Sequence, residues 1–240
     1  MPIYEREGAH INYEVHGDAE QSLLLIAPGG MKSAIGFWSG TPWNPIDQLK
    51  NSFTVVAMDQ RNAGDSTAPV SADDGWDTYT QDQLGLMSHL GIEQFHVAGM
   101  CIGGPYCLGL IAAAVDRIKS ATLFQTIGRD NNADAFYAMF DQWAEPLMSE
   151  RPDTSADAWQ SFRQNMYGGD KVLFNVDEVF VAGCPTPLLV LMGDDLYHPQ
   201  SSSRLIAETA PNVTFIERWK EGEDRAAAML QFEQFLVSNS

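Results

Sequence analysis

A short glycine-rich stretch, Gly99 to Gly104 (GMCIGG), contains the residue best suited to covalent chemistry, Cys101. It follows the apolar run 95–98 and leads into a Leu-, Ile- and Ala-rich segment, so the pattern predicts a strand, a sharp turn and a helix. Glycines beside such a turn avoid Cβ collisions. A thiol at the first turn of a helix lies near unpaired N–H groups, which favour the thiolate. Cys101 is therefore a candidate nucleophile, and the competing interpretation is a small buried hydrophobic residue.

The elements that must position this thiol alternate between strands and helices. Apolar runs of strand length occur at 23–27, 54–58, 95–98, 121–124, 187–192 and 213–216, and residues 2–16 alternate as a hairpin does. Helical spacing occupies 78–90, 106–115, 200–209 and 223–237. This order predicts an α/β fold with a mostly parallel central sheet flanked by helices.

The segment 129–182 interrupts that alternation. It is rich in Asp, Asn, Met and aromatic residues, and it has apolar positions at helical spacing with proline breaks expected at Pro146 and Pro152. We therefore expect three or four short helices inserted into a core formed by 1–128 and 183–240.

The composition limits the partners. With 14 basic and 32 acidic residues, the formal net charge is -18, which disfavours nucleic acid and anionic membranes as partners but says little about the substrate. The expected partner is a small-molecule substrate, on the ground of the candidate nucleophile. Three cysteines without paired spacing argue against a disulfide framework and favour a reducing compartment. The N-terminus lacks a basic region followed by an apolar run, so we expect a cytoplasmic protein. A homodimer is compatible with the sequence, which does not fix the oligomeric state.

No cofactor is expected. The histidines and cysteines lack metal-ligand spacing, and the Gly99–Gly104 stretch has a thiol at its apex where a dinucleotide loop would have none.

Three motifs in chain order resemble the α/β-hydrolase fold family, over nearly the whole chain. Pro28-Gly29-Gly30-Met31 is similar to the family's oxyanion loop, and Asp59-x-Arg61-Asn62-x-Gly64-x-Ser66 is similar to its Asp-x-Arg-Gly-x-Gly-x-Ser turn, with Asn in place of Gly. Gly99-x-Cys101-x-Gly103-Gly104 resembles the nucleophile elbow, with Cys in place of the commoner Ser as in the dienelactone-hydrolase type. The insertion at 129–182 falls where the family carries a helical cap.

The resemblance implies roles for particular residues. Backbone N–H groups of Gly30, or Met31, and of Ile102 would form the oxyanion hole. The family's acid follows the strand at 187–192, where Asp194 and Asp195 are both candidates and spacing to Pro199 favours Asp195. Five aromatic residues are candidates to line an apolar substrate pocket: Trp38, Phe136, Phe140, Trp143 and Trp159. The competing interpretation is that several of the cap residues among them only pack the cap onto the core.

The base departs from the family pattern. The stretch after the last strand, 217–224, has no histidine, and of the five histidines only His198 lies at the carboxyl end of a core strand. A thiol, with a pKa of about 8.5, needs less help from a base than a hydroxyl does. His198 could therefore serve Cys101, while a partly exposed loop histidine is the competing interpretation.

Two hypotheses follow. In the first, Cys101 attacks an ester, thioester or lactone of a small apolar substrate, and acyl transfer to another acceptor is a variant. In the second, a hydrolase-fold protein binds a small ligand or partner without turnover, and Cys101 is a relic or a redox-sensitive thiol.

Overall fold

The computed structural model describes residues 2–240 and contains an eight-stranded sheet in the order β1-β2-β4-β3-β5-β6-β7-β8. Strands β3 to β8 are parallel to their neighbours, whereas β1 and β2 pair antiparallel and β2 joins β4 antiparallel. The strands are β1 (Ile3–Arg6), β2 (Ala9–His16), β3 (Ser22–Ile26), β4 (Thr54–Met58), β5 (Phe95–Met100), β6 (Ile118–Phe124), β7 (Leu188–Leu191) and β8 (Val213–Ile216).

Eight α-helices within residues 2–240 cover this sheet. They are α1 (Pro45–Leu49), α2 (Trp76–His89), α3 (Gly103–Ala114), α4 (Ala133–Glu150), α5 (Ala156–Tyr167), α6 (Glu178–Ala182), α7 (Gln200–Thr209) and α8 (Gly222–Ser238). Short 3-10 helices at Gly30–Lys32 and Ile35–Gly40 follow β3.

The apolar strands bury both faces of the sheet. Leu24 and Ile26 of β3 belong to a core cluster shared with α2, α3, α4 and α7, whereas Leu23 and Leu25 belong to a second cluster shared with α1 and α8. Successive strand residues therefore alternate between two layers of helices. The predicted α/β-hydrolase architecture is confirmed, with a mostly parallel sheet flanked by helices on both faces.

The segment 129–182 contains three helices, α4, α5 and α6, but α4 has 18 residues and is not one of the short helices expected. The expected break at Pro146 is wrong, because α4 continues through it to Glu150. Phe136, Phe140 and Trp143 bury one face of α4, and this packing outweighs the backbone hydrogen bond that proline removes. Pro152 does follow the end of the helix.

Within residues 2–240, every helix is too short or too polar to cross a membrane.

Candidate active site

Cys101 lies at a strained turn between β5 and α3. Its φ is 62°, in the left-handed region that residues with a Cβ rarely adopt. A Cβ on Gly99 would lie 2.3 Å from the Gly103 carbonyl oxygen, and one on Gly104 would lie 2.1 Å from Thr126 Oγ1. The glycines of the motif are therefore required by the close packing of the turn against its own helix and against the loop after β6.

The loop after β3 brings backbone N–H groups to the thiol. Gly29 and Gly30 have φ angles of 120° and 58°, and the Ser33 hydroxyl donates to the Ala27 carbonyl at 2.6 Å, which fixes the loop against the end of β3. The backbone N–H groups of Gly29 and Gly30 lower the pKa of Cys101. Among residues 2–240, the N–H of Ile102 donates to no oxygen.

The turn after β4 braces this loop. Asp59 Oδ1 accepts from the Ile35 N–H at 2.7 Å, and its Oδ2 accepts from the Asp65 N–H at 2.9 Å. Asn62 has a φ of 57°, which explains how Asn can stand where the family usually has Gly. The Asp59 carboxylate therefore stabilises the geometry of the neighbouring loop through these backbone contacts.

The loop after β7 supplies an acid and a histidine three residues apart. His198 Nδ1 lies 2.7 Å and 2.8 Å from the two carboxylate oxygens of Asp195. Asp195 Oδ1 also accepts from the Tyr197 and His198 N–H groups, at 3.0 Å and 3.1 Å. A Cβ on Gly193 would lie 2.5 Å from His198 Cβ, so a glycine is needed for the loop to fold back. Because a carboxylate only accepts, Nδ1 carries the proton and Nε2 is left with its lone pair.

Because Nδ1 binds Asp195, Nε2 is the ring nitrogen of His198 that remains available to Cys101. Within residues 2–240 Nε2 is buried and has no hydrogen-bond partner, and His198 and Cys101 are close enough for each to alter the pKa of the other. Burial raises the pKa of Cys101, but interaction with His198 and the N–H groups of Gly29 and Gly30 outweighs it, and the net pKa is lowered. Burial lowers the pKa of His198, but Cys101 and Asp195 outweigh it, and the net pKa is raised.

These opposite shifts favour a thiolate beside an imidazolium. Burial raises the pKa of Asp195 as well, but the hydrogen bond and charge of His198 outweigh it, so this pKa is lowered and the carboxylate stays ionised. The three side chains can therefore hold one mobile proton between sulfur and nitrogen.

The other positions considered for the acid and the base lie away from Cys101 and His198. Asp194 points to the surface, where it pairs with Lys220 at 2.8 Å. The late-histidine region is filled by Trp219, which is buried and donates from Nε1 to the Met192 carbonyl at 2.8 Å. In this chain the stretch 217–224 therefore contributes a buried indole and no histidine.

Four of the five predicted aromatic residues share one core cluster. Phe136, Phe140, Trp143 and Trp159 are all buried on the face covered by α4 and α5. Trp38 is buried in the cluster on the opposite face, so the structure does not bring it together with them. A cleft of about 460 Å³ between α4 and the core is lined by Phe37, Trp143 and Leu147.

Three residues near the thiol were missed by sequence reasoning. Gly29 belongs to the predicted oxyanion loop, but the sequence analysis selected only Gly30 and Met31 of that loop as hydrogen-bond donors. Met139 of α4 lies over the same loop, with its sulfur 2.4 Å from where a Cβ on Gly30 would be. Tyr167 is fully buried and lies within electrostatic reach of Cys101. The helical spacing of α4 and α5 marks Met139 and Tyr167 as core-facing, but nothing in the sequence indicates which face meets the thiol.

The family profile of the alpha/beta hydrolase fold matches residues 22–176, which is more than half of the chain. The chain belongs to the α/β-hydrolase fold family. A relative from Azorhizobium caulinodans, named putative carbamate hydrolase RutD, is 28% identical over 251 residues, covering 90% of this chain and 89% of that protein.

Solved structures of this family share the fold at low sequence identity. The enol-lactonase from Burkholderia xenovorans LB400 has a TM-score of 0.72 with 20% identity, covering 98% of this chain and 100% of that one. A mutant of the meta-cleavage product hydrolase from Pseudomonas fluorescens IP01, complexed with acetates, has a TM-score of 0.73 with 19% identity, covering 100% of this chain and 98% of that one. The chain is a hydrolase of the α/β-hydrolase fold.

Proposed function

We propose that this chain hydrolyses an ester, thioester or lactone of a small molecule through a thioacyl intermediate on Cys101. The observation that carries the proposal is the loop after β7, in which Asp195 holds His198 at 2.7 Å with Nε2 free beside the thiol within the described residues 2–240. This arrangement offers a nucleophile, a base and an orienting acid without the histidine that the family usually places after its last strand.

In the first half-reaction, the Cys101 thiolate attacks the carbonyl carbon and the carbonyl oxygen becomes an oxyanion. The N–H groups of Gly30 and Ile102, with Gly29 or Met31 as a further donor, would stabilise that charge. The C–O or C–S bond to the leaving group then breaks, and the proton on His198 Nε2 passes to the departing oxygen or sulfur. The acyl group remains on Cys101 as a thioester.

In the second half-reaction, neutral His198 takes a proton from water, and the resulting hydroxide attacks the thioacyl carbon. The same N–H groups stabilise the second oxyanion. Collapse releases the carboxylic acid and returns the thiolate next to the imidazolium. Asp195 keeps the imidazole in one tautomer through both steps and stabilises its charged form.

The substrate class is supported by the named relatives. One is named a putative carbamate hydrolase and one an enol-lactonase, so carbamates belong in the test with esters, thioesters and lactones. Phe136, Phe140, Trp143 and Trp159 are proposed to form apolar walls of the pocket, and the cleft beside Phe37 is proposed as the entrance. Trp38 is not included in the proposed pocket, because it is buried on the other face.

The test is turnover of short-chain p-nitrophenyl esters, small lactones, acyl thioesters and p-nitrophenyl carbamates, with intact-mass detection of acyl groups on Cys101. We expect Cys101→Ala to reduce kcat/KM about 1000-fold or more, since it removes the nucleophile. Cys107→Ala is the matched control, because Cys107 is buried in the core and burial raises its pKa. It should change kcat/KM by less than about 3-fold.

The same experiment distinguishes the alternatives. If the wild type shows neither turnover nor an acyl adduct with any of these substrates, the non-catalytic hypothesis replaces the proposal. If added alcohols or amines capture most of the acyl group in preference to water, the protein is an acyltransferase. If Cys101→Ala keeps full activity, the assignment of the nucleophile is wrong.

A further inference from the structure

Asp195 and His198 share one loop, and the part of the loop between them is exposed. The side chain of Asp195 is half exposed, and Leu196 is 60% exposed. The backbones of Asp195 and His198 pair with each other, with an N–H to carbonyl distance of 3.2 Å in each direction. Since the acid and the base are carried by the same loop, a change in its shape would displace both groups at once.

The segment 128–132, which we name the cap root because it leads from β6 into α4, holds this loop from outside. The Gly128 N–H donates to the Tyr197 carbonyl at 3.3 Å. The Asn132 side chain donates from Nδ2 to the Leu196 carbonyl at 2.7 Å. These are the two peptide carbonyls that separate the acid from the base, and the cap root therefore binds the loop at its centre.

Asn132 is the buried side chain in this connection. It is 4% exposed, and both ends of its amide have partners. Oδ1 accepts from the Asp130 N–H at 2.8 Å, while Nδ2 donates to the Gly128 carbonyl at 2.9 Å as well as to the Leu196 carbonyl. An N–H must face the amide oxygen and carbonyls must face the NH2 group, so the orientation of the amide is determined by its partners.

The position of Asn132 in the chain gives a second reason to assign it a role in the site. It is the N-cap residue of α4, where an Asn side chain ordinarily accepts from a backbone N–H of the first helical turn. The Asn132 side chain makes no such bond among the described residues 2–240. It holds the acid–base loop instead of its own helix, and such a departure from local preference is expected at functional positions.

We propose that Asn132 is a positioning residue for the reaction, which fixes the loop carrying Asp195 and His198 through the Leu196 carbonyl. It acts through His198 and not by contact with the reacting atoms. The inference rests on the proposed function, because it concerns the base of that mechanism.

The first test measures the pH dependence of Cys101 alkylation by iodoacetamide, which needs no substrate. His198 lowers the pKa of Cys101, so a loosened loop in Asn132→Ala should move the inflection of the alkylation rate to higher pH. In a His198→Ala background the same substitution should move it no further, because Asn132 would have no base left to position.

Steady-state kinetics repeats this comparison on the best ester. We expect Asn132→Ala to lower kcat/KM about 20-fold in the wild-type background, since a small displacement of a catalytic group is costly. In the His198→Ala background it should lower kcat/KM less than about 2-fold.

Two further variants control for folding. Asn132→Ser keeps a good N-cap residue before α4 but is too short to reach both carbonyls, so it should repeat the result of Asn132→Ala even if the alanine variant does not fold. Asn165→Ala is the matched control, because Asn165 Nδ2 also donates to two carbonyls, those of Ala72 and Asp74, each at 2.9 Å. It should leave the Cys101 inflection in place and change kcat/KM less than about 2-fold.

The outcomes separate this inference from the proposed function. An unchanged Cys101 inflection in a folded Asn132 variant overturns the inference and leaves the proposed function standing. A loss of kcat/KM that is equally large with and without His198 also overturns it, because it indicates a general structural role. If His198→Ala itself leaves the inflection in place, the inference falls together with the proposed base.

Discussion

The pKa values of two buried histidines in this protein are shifted in opposite directions. His96 is the second residue of β5, and His198 lies against Cys101, which directly follows the same strand. Burial, with a contribution from the charge of Lys119, lowers the pKa of His96 to about 4. Burial also lowers the pKa of His198, but the thiol on one side and the Asp195 carboxylate on the other reverse the result.

The difference lies in the partners and not in the burial. His96 Nδ1 lies 2.8 Å from the Ser120 hydroxyl, and Nε2 lies 3.2 Å from the Ser240 hydroxyl. These groups bind a neutral ring well but do not stabilise a charged one. A buried histidine becomes a base or an acid only where acidic groups flank it, which favours His198 over His96 as the catalytic candidate.

The largest effect is expected from His198→Ala. Without the imidazole, the thiolate loses its counter-charge and the deacylating water loses its base, so kcat/KM for the best ester should fall about 1000-fold. Steady-state kinetics at about pH 7 measures this loss, and mass spectrometry should show acyl groups accumulating on Cys101 if deacylation suffers more.

His96→Gln is the comparison variant. It replaces a buried neutral ring by a neutral amide at the opposite end of β5 from the thiol, and kcat/KM should change by less than about 3-fold. Equal losses in the two variants would contradict the distinction between the two histidines.

Asp195→Asn should have the next largest effect, about 100-fold on kcat/KM. The amide cannot stabilise the imidazolium, and its NH2 group can hold the ring in the wrong tautomer. Asp194→Asn is the matched control, because that carboxylate is exposed and pairs with Lys220. If instead Asp194→Asn is the impaired variant, the acid has been assigned to the wrong neighbour.

A third measurement concerns alkylation of the three cysteines by iodoacetamide. The pKa of Cys101 is lowered, whereas burial raises the pKa of Cys107 and of Cys184. Cys101 should therefore react at pH values below the ordinary thiol range, and its rate should fall only as the pH drops through its lowered pKa. His198→Ala should move that inflection upward. Peptide mapping identifies the modified residue, and labelling of Cys107 at a similar rate would contradict the assignment.

Much of the fold was predictable, because the local sequence patterns and the packing of the whole fold favour the same strands and helices. β4, β8 and α7 occupy the predicted residues 54–58, 213–216 and 200–209. Their apolar runs and breakers are strong enough to set both ends. Pro146 was misread because its helix is stabilised by aromatic packing that the local pattern does not contain.

The site was predictable to the extent that it depends on chain order. Gly99, Gly103 and Gly104 mark the turn, and the position after β7 marks Asp195 and His198. The approach of Tyr167 and Met139 was not predictable, because it depends on how α4 and α5 lie over the core. Likewise, nothing in the sequence showed that Trp219 is buried with its Nε1 donating to the Met192 carbonyl.

The fourth prediction concerns the pH dependence of stability. Above about pH 6.5 His96 is neutral in both folded and unfolded chains, so it contributes no pH dependence there. As the pH falls from about 6.5 to about 4, the unfolded chain takes up the proton first, and the free energy of unfolding should fall by about 3 kcal/mol. Urea unfolding across this range measures it. Carboxylates titrate in the same range, so the quantity to compare is wild type minus His96→Gln, and a constant difference would contradict the low pKa.

The smallest effect is expected from Ser120→Ala, which separates the hydrogen bond of His96 from its burial. The variant leaves His96 Nδ1 without its 2.8 Å partner and should cost about 1–2 kcal/mol of unfolding free energy. Because desolvation is the main cause of the low pKa, removing Ser120 should shift the whole stability curve down and keep its slope between about pH 4 and about pH 6.5. His96→Gln should instead flatten the slope. If Ser120→Ala flattens it as well, the hydroxyl and not the buried position keeps His96 neutral, and the contrast with His198 would depend on that single partner.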